Sequence, residues 1–162
     1  MASAERIPLA RPVLGGREEE LVLEVLRSGA LSLGPMLGRF ECEFAARVGC
    51  EEAVAVSSGT TALHLGVRLL GWGPGDRVVT SPLSFVASSN CLLFEGAEPL
   101  FCDVDPVSLC MDPEAAAAAT ATDGVTGLLP VHIFGHAAAI EAIEAIAKPR
   151  GLGVLEDAAQ AL

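Results

Sequence analysis

Arg77-Val78-Val79-Thr80-Ser81-Pro82-Leu83-Ser84-Phe85-Val86-Ala87-Ser88-Ser89-Asn90 is a short apolar run, a turn of small residues and proline, and the opening of a helical pattern. It predicts a strand over 77–80 and a helix over 84–94. The same unit recurs on both sides. Upstream, Ala53 to Val56 predicts a buried strand and Thr60 to Leu70 a helix. Downstream, strands are expected at Pro99–Val104, Gly127–Val131 and Leu152–Leu155. Between them come a helix capped by Asp112, running through the alanines 115–119, and a helix over Ala137–Ala147. Five strand signals separated by helical crossovers predict an α/β domain with a mostly parallel sheet.

Ahead of this pattern lies an extended arm with prolines at Pro8 and Pro12. A helix is expected over Gly16–Ser28, with acidic residues Glu18, Glu19 and Glu20 in the first turn, where the helix dipole favours them. A loop at 31–35 leads into a second helix whose apolar face carries Met36, Leu37, Phe40, Phe44 and Val48. There is no internal repeat and no linker composition, so the 162 residues read as one domain.

The formal charge of −11 argues against bulk attraction to nucleic acid or to an anionic membrane. It leaves room for an anionic small ligand, because a helix N-terminus binds phosphate whatever the net charge. No apolar run approaches a membrane span, and the N-terminus carries neither signal-peptide nor transit-peptide character, so a cytoplasmic protein is expected. Cys42, Cys50, Cys91, Cys102 and Cys110 contain no Cys-x-x-Cys pair and are expected to be buried, reduced thiols.

Three strand ends carry residues suited to chemistry. Val56-Ser57-Ser58-Gly59-Thr60-Thr61-Ala62-Leu63 is a strand, a turn of small residues and a helix start. Free N–H groups of the first turn and a threonine hydroxyl suit an anion, although an ordinary helix cap reads the same way. Phe85, after the next strand, offers a face for a flat ring, but a lone phenylalanine more often packs in a core. The last strand ends in Gly153-Val154-Leu155-Glu156-Asp157-Ala158-Ala159-Gln160, which puts carboxylates at the sheet edge where α/β proteins bind ligands. His132 and His136 lie on either side of Gly135 and share no helical face, so no metal site is expected. His64 falls in mid-helix and reads as a packed or surface residue. An anion-ready turn, an aromatic platform and a carboxylate are together what pyridoxal phosphate requires.

At these residues the chain resembles the DegT/DnrJ/StrS family of pyridoxal-phosphate-dependent nucleotide-sugar aminotransferases. The resemblance runs through Gly34-Pro35, Ala53 to Leu63, Gly73-Pro74-Gly75-Asp76, Ser84-Phe85-Val86-Ala87, Phe101 to Pro106, Pro130-Val131-His132 and Glu156 to Gln160. It implies the three-layer large domain of the fold-type I, aspartate-aminotransferase-like class. Residues 1–162 would be its N-terminal part, with an extended and helical arm at 1–35 and the small C-terminal domain absent. It implies that Gly59 and Thr60 hold the cofactor phosphate, Phe85 stacks on the pyridine ring, Asp157 pairs with the ring nitrogen and Gln160 lies near the ring hydroxyl. Asn90, His132 and the Gly34-Pro35 loop would lie near the site, while Glu156 would be structural.

The implied activity is transfer of an amino group from an amino-acid donor such as glutamate to a keto group of a nucleotide-linked sugar. That reaction serves polysaccharide or secondary-metabolite sugar biosynthesis, in an enzyme that is a homodimer at full length. The family's Schiff-base lysine follows a further stretch of sheet that the chain does not reach. Lys148, the only lysine, sits at a helix C-terminus, so the chain alone is expected to be inactive and its sheet incomplete. Two other readings stay open: a deoxysugar dehydratase of the same family, with histidine in place of that lysine, and a non-catalytic regulatory relative or gene remnant.

Overall fold

The computed structural model describes residue 8 and residues 11–161. The chain divides into two compact units, residues 1–55 and 56–162.

The first unit holds α1 (Gly16–Ser28) and α2 (Pro35–Val48). Glu18 folds back to accept the Gly15 amide at 2.7 Å, and Gly29 closes α1 with a φ of 70° that favours glycine. Pro35 opens α2, where a missing amide hydrogen costs nothing. Leu21, Val25 and Leu26 of α1 share an apolar groove with Met36 and Phe40 of α2. The burial expected of every cysteine fails here: Cys42, on a helix whose one buried residue is Ala45, and Cys50, just past that helix, are exposed.

Residues 53–56 do not form the expected buried strand. Val54 and Val56 are exposed, and among the described residues no strand pairs with this segment. The Ala55 amide instead donates to Glu41 Oε1 at 2.9 Å. An apolar run becomes a strand only where a neighbour accepts its ladder of hydrogen bonds, and here a side chain takes that role.

The second unit contains α3 (Gly59–Leu69), β1 (Arg77–Thr80), α4 (Ala87–Phe94), β2 (Glu98–Phe101), α5 (Pro113–Ala119), β3 (Val125–Leu129), α6 (Ile140–Ala147) and β4 (Gly153–Val154). The strands form one parallel sheet in the order β2-β1-β3-β4. The chain moves one way across the sheet from β1 to β2 and the other way from β2 through β3 to β4. Right-handed crossovers therefore put α4 on one face and α5 and α6 on the other. α3 packs on α4 and α5 on α6, giving the three layers expected from the sequence.

The core lies on both sides of the central strands, where Val78, Val79, Leu128 and Leu129 are fully buried. Trp72, after α3, is seated against a pair of glycines, Gly127 and Gly153, which stand side by side on β3 and β4. A Cβ at Gly127 would come within 2.0 Å of the indole ring. Several elements are shorter than expected. α4 begins at Ala87 rather than Ser84, β2 ends at Phe101 rather than Val104, and α6 begins at Ile140 after a 3-10 turn at Ile133–Gly135. Val104 makes an antiparallel bridge to Met111, which turns the chain away from the sheet.

Candidate active site

Between β1 and β3 the chain reverses its direction of travel across the sheet, and the crevice beyond the carboxyl ends of such strands is where open α/β folds place ligands. Asp157 stands at this edge. Its amide donates to Pro130 O at 2.9 Å and its carbonyl accepts from the His132 amide at 3.0 Å, so its backbone continues the pairing of β3 with β4. The carboxylate is buried, yet among the described residues no lysine, arginine or histidine pairs with it. Its partners are neutral: Ser88 Oγ donates to Oδ2 at 2.6 Å and the Ala159 amide donates to Oδ1 at 3.1 Å. Aspartate is seldom buried without a counter-charge, which makes this carboxylate a candidate partner for a cation from outside the chain.

The neighbouring Glu156 alternates to the other side and is exposed. It pairs with His132 Nε2 at 3.0 Å, while His132 Nδ1 accepts the Ala138 amide at 2.9 Å. An acceptor role for Nδ1 puts the proton of the neutral ring on Nε2, facing Glu156. His132 is therefore a tie between the ends of β3 and β4 and the approach to α6, with both ring nitrogens occupied. Gln160 Oε1 accepts the amide of Phe134, a residue held at a φ of 54°.

The start of α3 reaches the same edge. A Cβ at Gly59 would lie 3.9 Å from that of Ala159, two residues past Asp157. Ser58 caps the helix by accepting the Thr61 amide at 3.1 Å, so the ordinary capping role is real. It leaves the amides of Gly59 and Thr60, and the Thr60 hydroxyl, without a partner among the described residues. Those three donors suit an anion.

Phe85 is 71% exposed, against the general tendency of a lone phenylalanine to pack in a core. Residues 84–86 precede α4, and the inward positions of this segment belong to Ala87, Cys91 and Leu92. The ring borders a depression shared with Ser81, Ser84, Ser88 and Phe101. Burial pushes the Cys91 thiol up to about 11, and the negative charge of Asp157 adds to that rise.

Other candidates fall elsewhere. Lys148 follows the last turn of α6, at the amino edge of the sheet, and its ammonium pairs with Glu144 at 2.6 Å. His64 of α3 pairs with Glu95. Gly34 and Pro35 belong to the first unit, and the Asn90 side chain has no hydrogen bond among the described residues. Sequence reasoning missed Ser84 and Ser88. Their spacing of four, which puts both on one face of the helix expected over 84–94, was the available signal.

A model of the DegT/DnrJ/EryC1/StrS aminotransferase family matches residues 12–162. The chain belongs to this family. It is 46% identical over 156 residues to the spore coat polysaccharide biosynthesis protein SpsC of Bacillus subtilis, covering 96% of this chain and 40% of SpsC. The aminotransferase from Psychrobacter cryohalolentis superposes with a TM-score of 0.89 at 35% identity, over 96% of this chain and 40% of that one. NtdA of Bacillus subtilis, solved with bound cofactor PMP, superposes with a TM-score of 0.85 at 35% identity, over 92% and 35%. The chain thus spans about 40% of the length of SpsC.

Aminotransferases of this family depend on pyridoxal phosphate. The donor set fits that cofactor: unpartnered amides for a phosphate, a buried carboxylate without a counter-charge for a ring cation, and an exposed aromatic face between them in sequence. Among the described residues no three histidine, cysteine or acidic side chains gather as metal ligands, and no helix is long and apolar enough to cross a membrane.

Proposed function

We propose that this chain forms the cofactor-binding part of an aminotransferase that moves an amino group from an amino acid to a keto group on a nucleotide-linked sugar. The observation that carries the reading is Asp157, a buried carboxylate whose partners among the described residues are neutral donors. The name of SpsC favours a sugar destined for polysaccharide. The setting is cytoplasmic and the working enzyme a homodimer, with an amino-acid donor and a nucleotide-sugar acceptor as its partners.

Pyridoxal phosphate supplies an electron-accepting pyridinium ring to this chemistry when bound. Gly59 and Thr60 would bind its phosphate through their amides and the Thr60 hydroxyl, at the positive end of α3. Asp157 would hold a proton at the ring nitrogen, because a fixed anion at this low-dielectric edge favours the protonated ring. Phe85 would cover one ring face and keep water from it. Gln160, already tied to the Phe134 amide through Oε1, would turn its amide nitrogen to the ring hydroxyl.

Titration of the purified chain with pyridoxamine phosphate tests this, because that form needs no lysine. Saturable one-to-one binding that inorganic phosphate competes away and Asp157→Ala weakens by at least tenfold is expected. Absence of saturable binding, or equal affinity in Asp157→Ala, overturns the reading.

A further inference from the structure

Two serines stand in line behind Asp157. Ser84 Oγ lies 2.6 Å from Ser88 Oγ, and Ser88 Oγ lies 2.6 Å from Asp157 Oδ2. Ser88 also lies 3.2 Å from Phe85 O, but a hydroxyl has one proton to give. The shorter contact, to a charged acceptor, takes it. Ser88 Oγ is then left as an acceptor, so the Ser84 hydroxyl donates to it. The direction of the chain follows: Ser84 to Ser88 to Asp157.

From these distances we infer that Ser88 is a positioning residue for Asp157, with Ser84 as its support. This rests on the aminotransferase reading above. Ser88 is 1% exposed, so bulk water does not compete for its hydroxyl. With Oδ2 held by Ser88 and Oδ1 by the Ala159 amide, the carboxylate is fixed in plane as well as in place. A carboxylate free to rotate meets the ring nitrogen in only a fraction of its orientations. A clamped one presents its remaining lone pairs in one direction and needs no reorganisation when the ring arrives. Because Ser84 and Ser88 flank Phe85, the segment that places the aromatic face also locks the carboxylate. Ring stacking and ring protonation are thereby set by one short stretch of chain.

The test uses the purified chain and has two arms. In the first, the Asp157 carboxyl carbon is followed by 13C NMR in H2O and D2O, without any ligand. A carboxylate that accepts from an exchangeable hydroxyl shows an isotope displacement. Ser88→Ala should lose part of it, while Ser88→Thr, which restores the hydroxyl, should regain it. An unchanged displacement in Ser88→Ala overturns the inference.

In the second arm, pyridoxamine phosphate labelled with 15N at the ring is titrated into each variant. Ser88→Ala should bind about tenfold more weakly, the scale of one hydrogen bond to a charged group. Its ring nitrogen should also move toward the unprotonated shift, a change that a role in folding alone would not produce. Ser84→Ala, at a less buried position, should show the same changes to a smaller extent, which keeps the test decisive if Ser88→Ala fails to fold. Equal affinity and an unmoved ring nitrogen in both alanine variants overturn the inference and leave the aminotransferase reading standing. Failure of the unmodified chain to bind overturns both.

Discussion

Asp157 carries two opposed requirements, and substitution separates them. A carboxylate buried without a counter-charge pays a desolvation cost that its neutral partners only partly offset. Asp157→Asn removes the charge and keeps an oxygen for Ser88, but turns an NH2 group toward the Ala159 amide that Oδ1 now accepts. The relieved desolvation and the lost Ala159 bond oppose each other, so the melting temperature should change little, while binding of pyridoxamine phosphate falls by tenfold or more. Differential scanning fluorimetry with and without the ligand measures both, and a clear loss of stability in Asp157→Asn would show that the carboxylate is structural. Phe85→Leu should act differently. It loses a stacking contribution of about 1 kcal/mol, several-fold in affinity, with the ring nitrogen still protonated. Lys148 offers a third check. Its ammonium sits at the opposite edge of the sheet beside Glu144, so borohydride reduction in the presence of pyridoxal phosphate should leave no stoichiometric adduct there by peptide mapping. A specific one-to-one label on Lys148 would contradict the placement of the site.

At the scale of elements, the sequence was most legible where local signals and tertiary partners agree. Gly29 after α1 and Asp112 before α5 mark helix ends, and the structure uses both, whereas Pro35, read as the end of a loop, is the first residue of α2. β1 occupies the predicted residues 77–80, because Val78 and Val79 are flanked by strands on both sides. The equally apolar 53–56 has no such neighbour among the described residues, and the Ala55 amide goes to Glu41; pairing is a property of two segments and cannot be read from one. For the same reason Asp157 was visible in the sequence, while the Ser88 bond to it depends on how α4 meets the end of β4. The Trp72 seat also arises only from register, since Gly127 and Gly153 must stand side by side beneath one indole. Gly127→Ala should therefore cost about 1–3 kcal/mol or more, as overpacking does, because a rigid ring rather than a flexible side-chain end meets the new methyl. Gly66→Ala is the control: its methyl meets the end of Leu155, which can turn aside. Urea denaturation of both variants ranks them, and equal losses would show that the indole shifts as easily as the leucine.

Over the whole molecule, the thiols report how tightly the second unit is closed. Cys91, Cys102 and Cys110 are buried in it, whereas Cys42 and Cys50 of the first unit are exposed. A thiol reagent at neutral pH should modify Cys42 and Cys50 quickly, and the other three only as fast as the fold opens. The buried pair Cys91 and Cys102 also predicts how stability changes with pH. Burial is the main cause in both cases, and it raises each thiol from the ordinary 9.0 to about 11. Below pH 9 both folded and unfolded chains keep these protons. Between 9 and 11 the unfolded chain releases them and the folded chain holds them, so the unfolded state binds fewer protons and stability falls as pH rises. By pH 11 the loss should be on the order of 2 kcal/mol per thiol. Denaturant midpoints measured from pH 7 to 11 should thus decline above pH 9, and the decline should be shallower in Cys91→Ala and Cys102→Ala even though each variant starts from a lower stability. A profile whose slope is the same with and without these thiols would mean that alkaline unfolding begins elsewhere, in the self-repulsion of a chain that already carries a net charge of −11 at neutral pH.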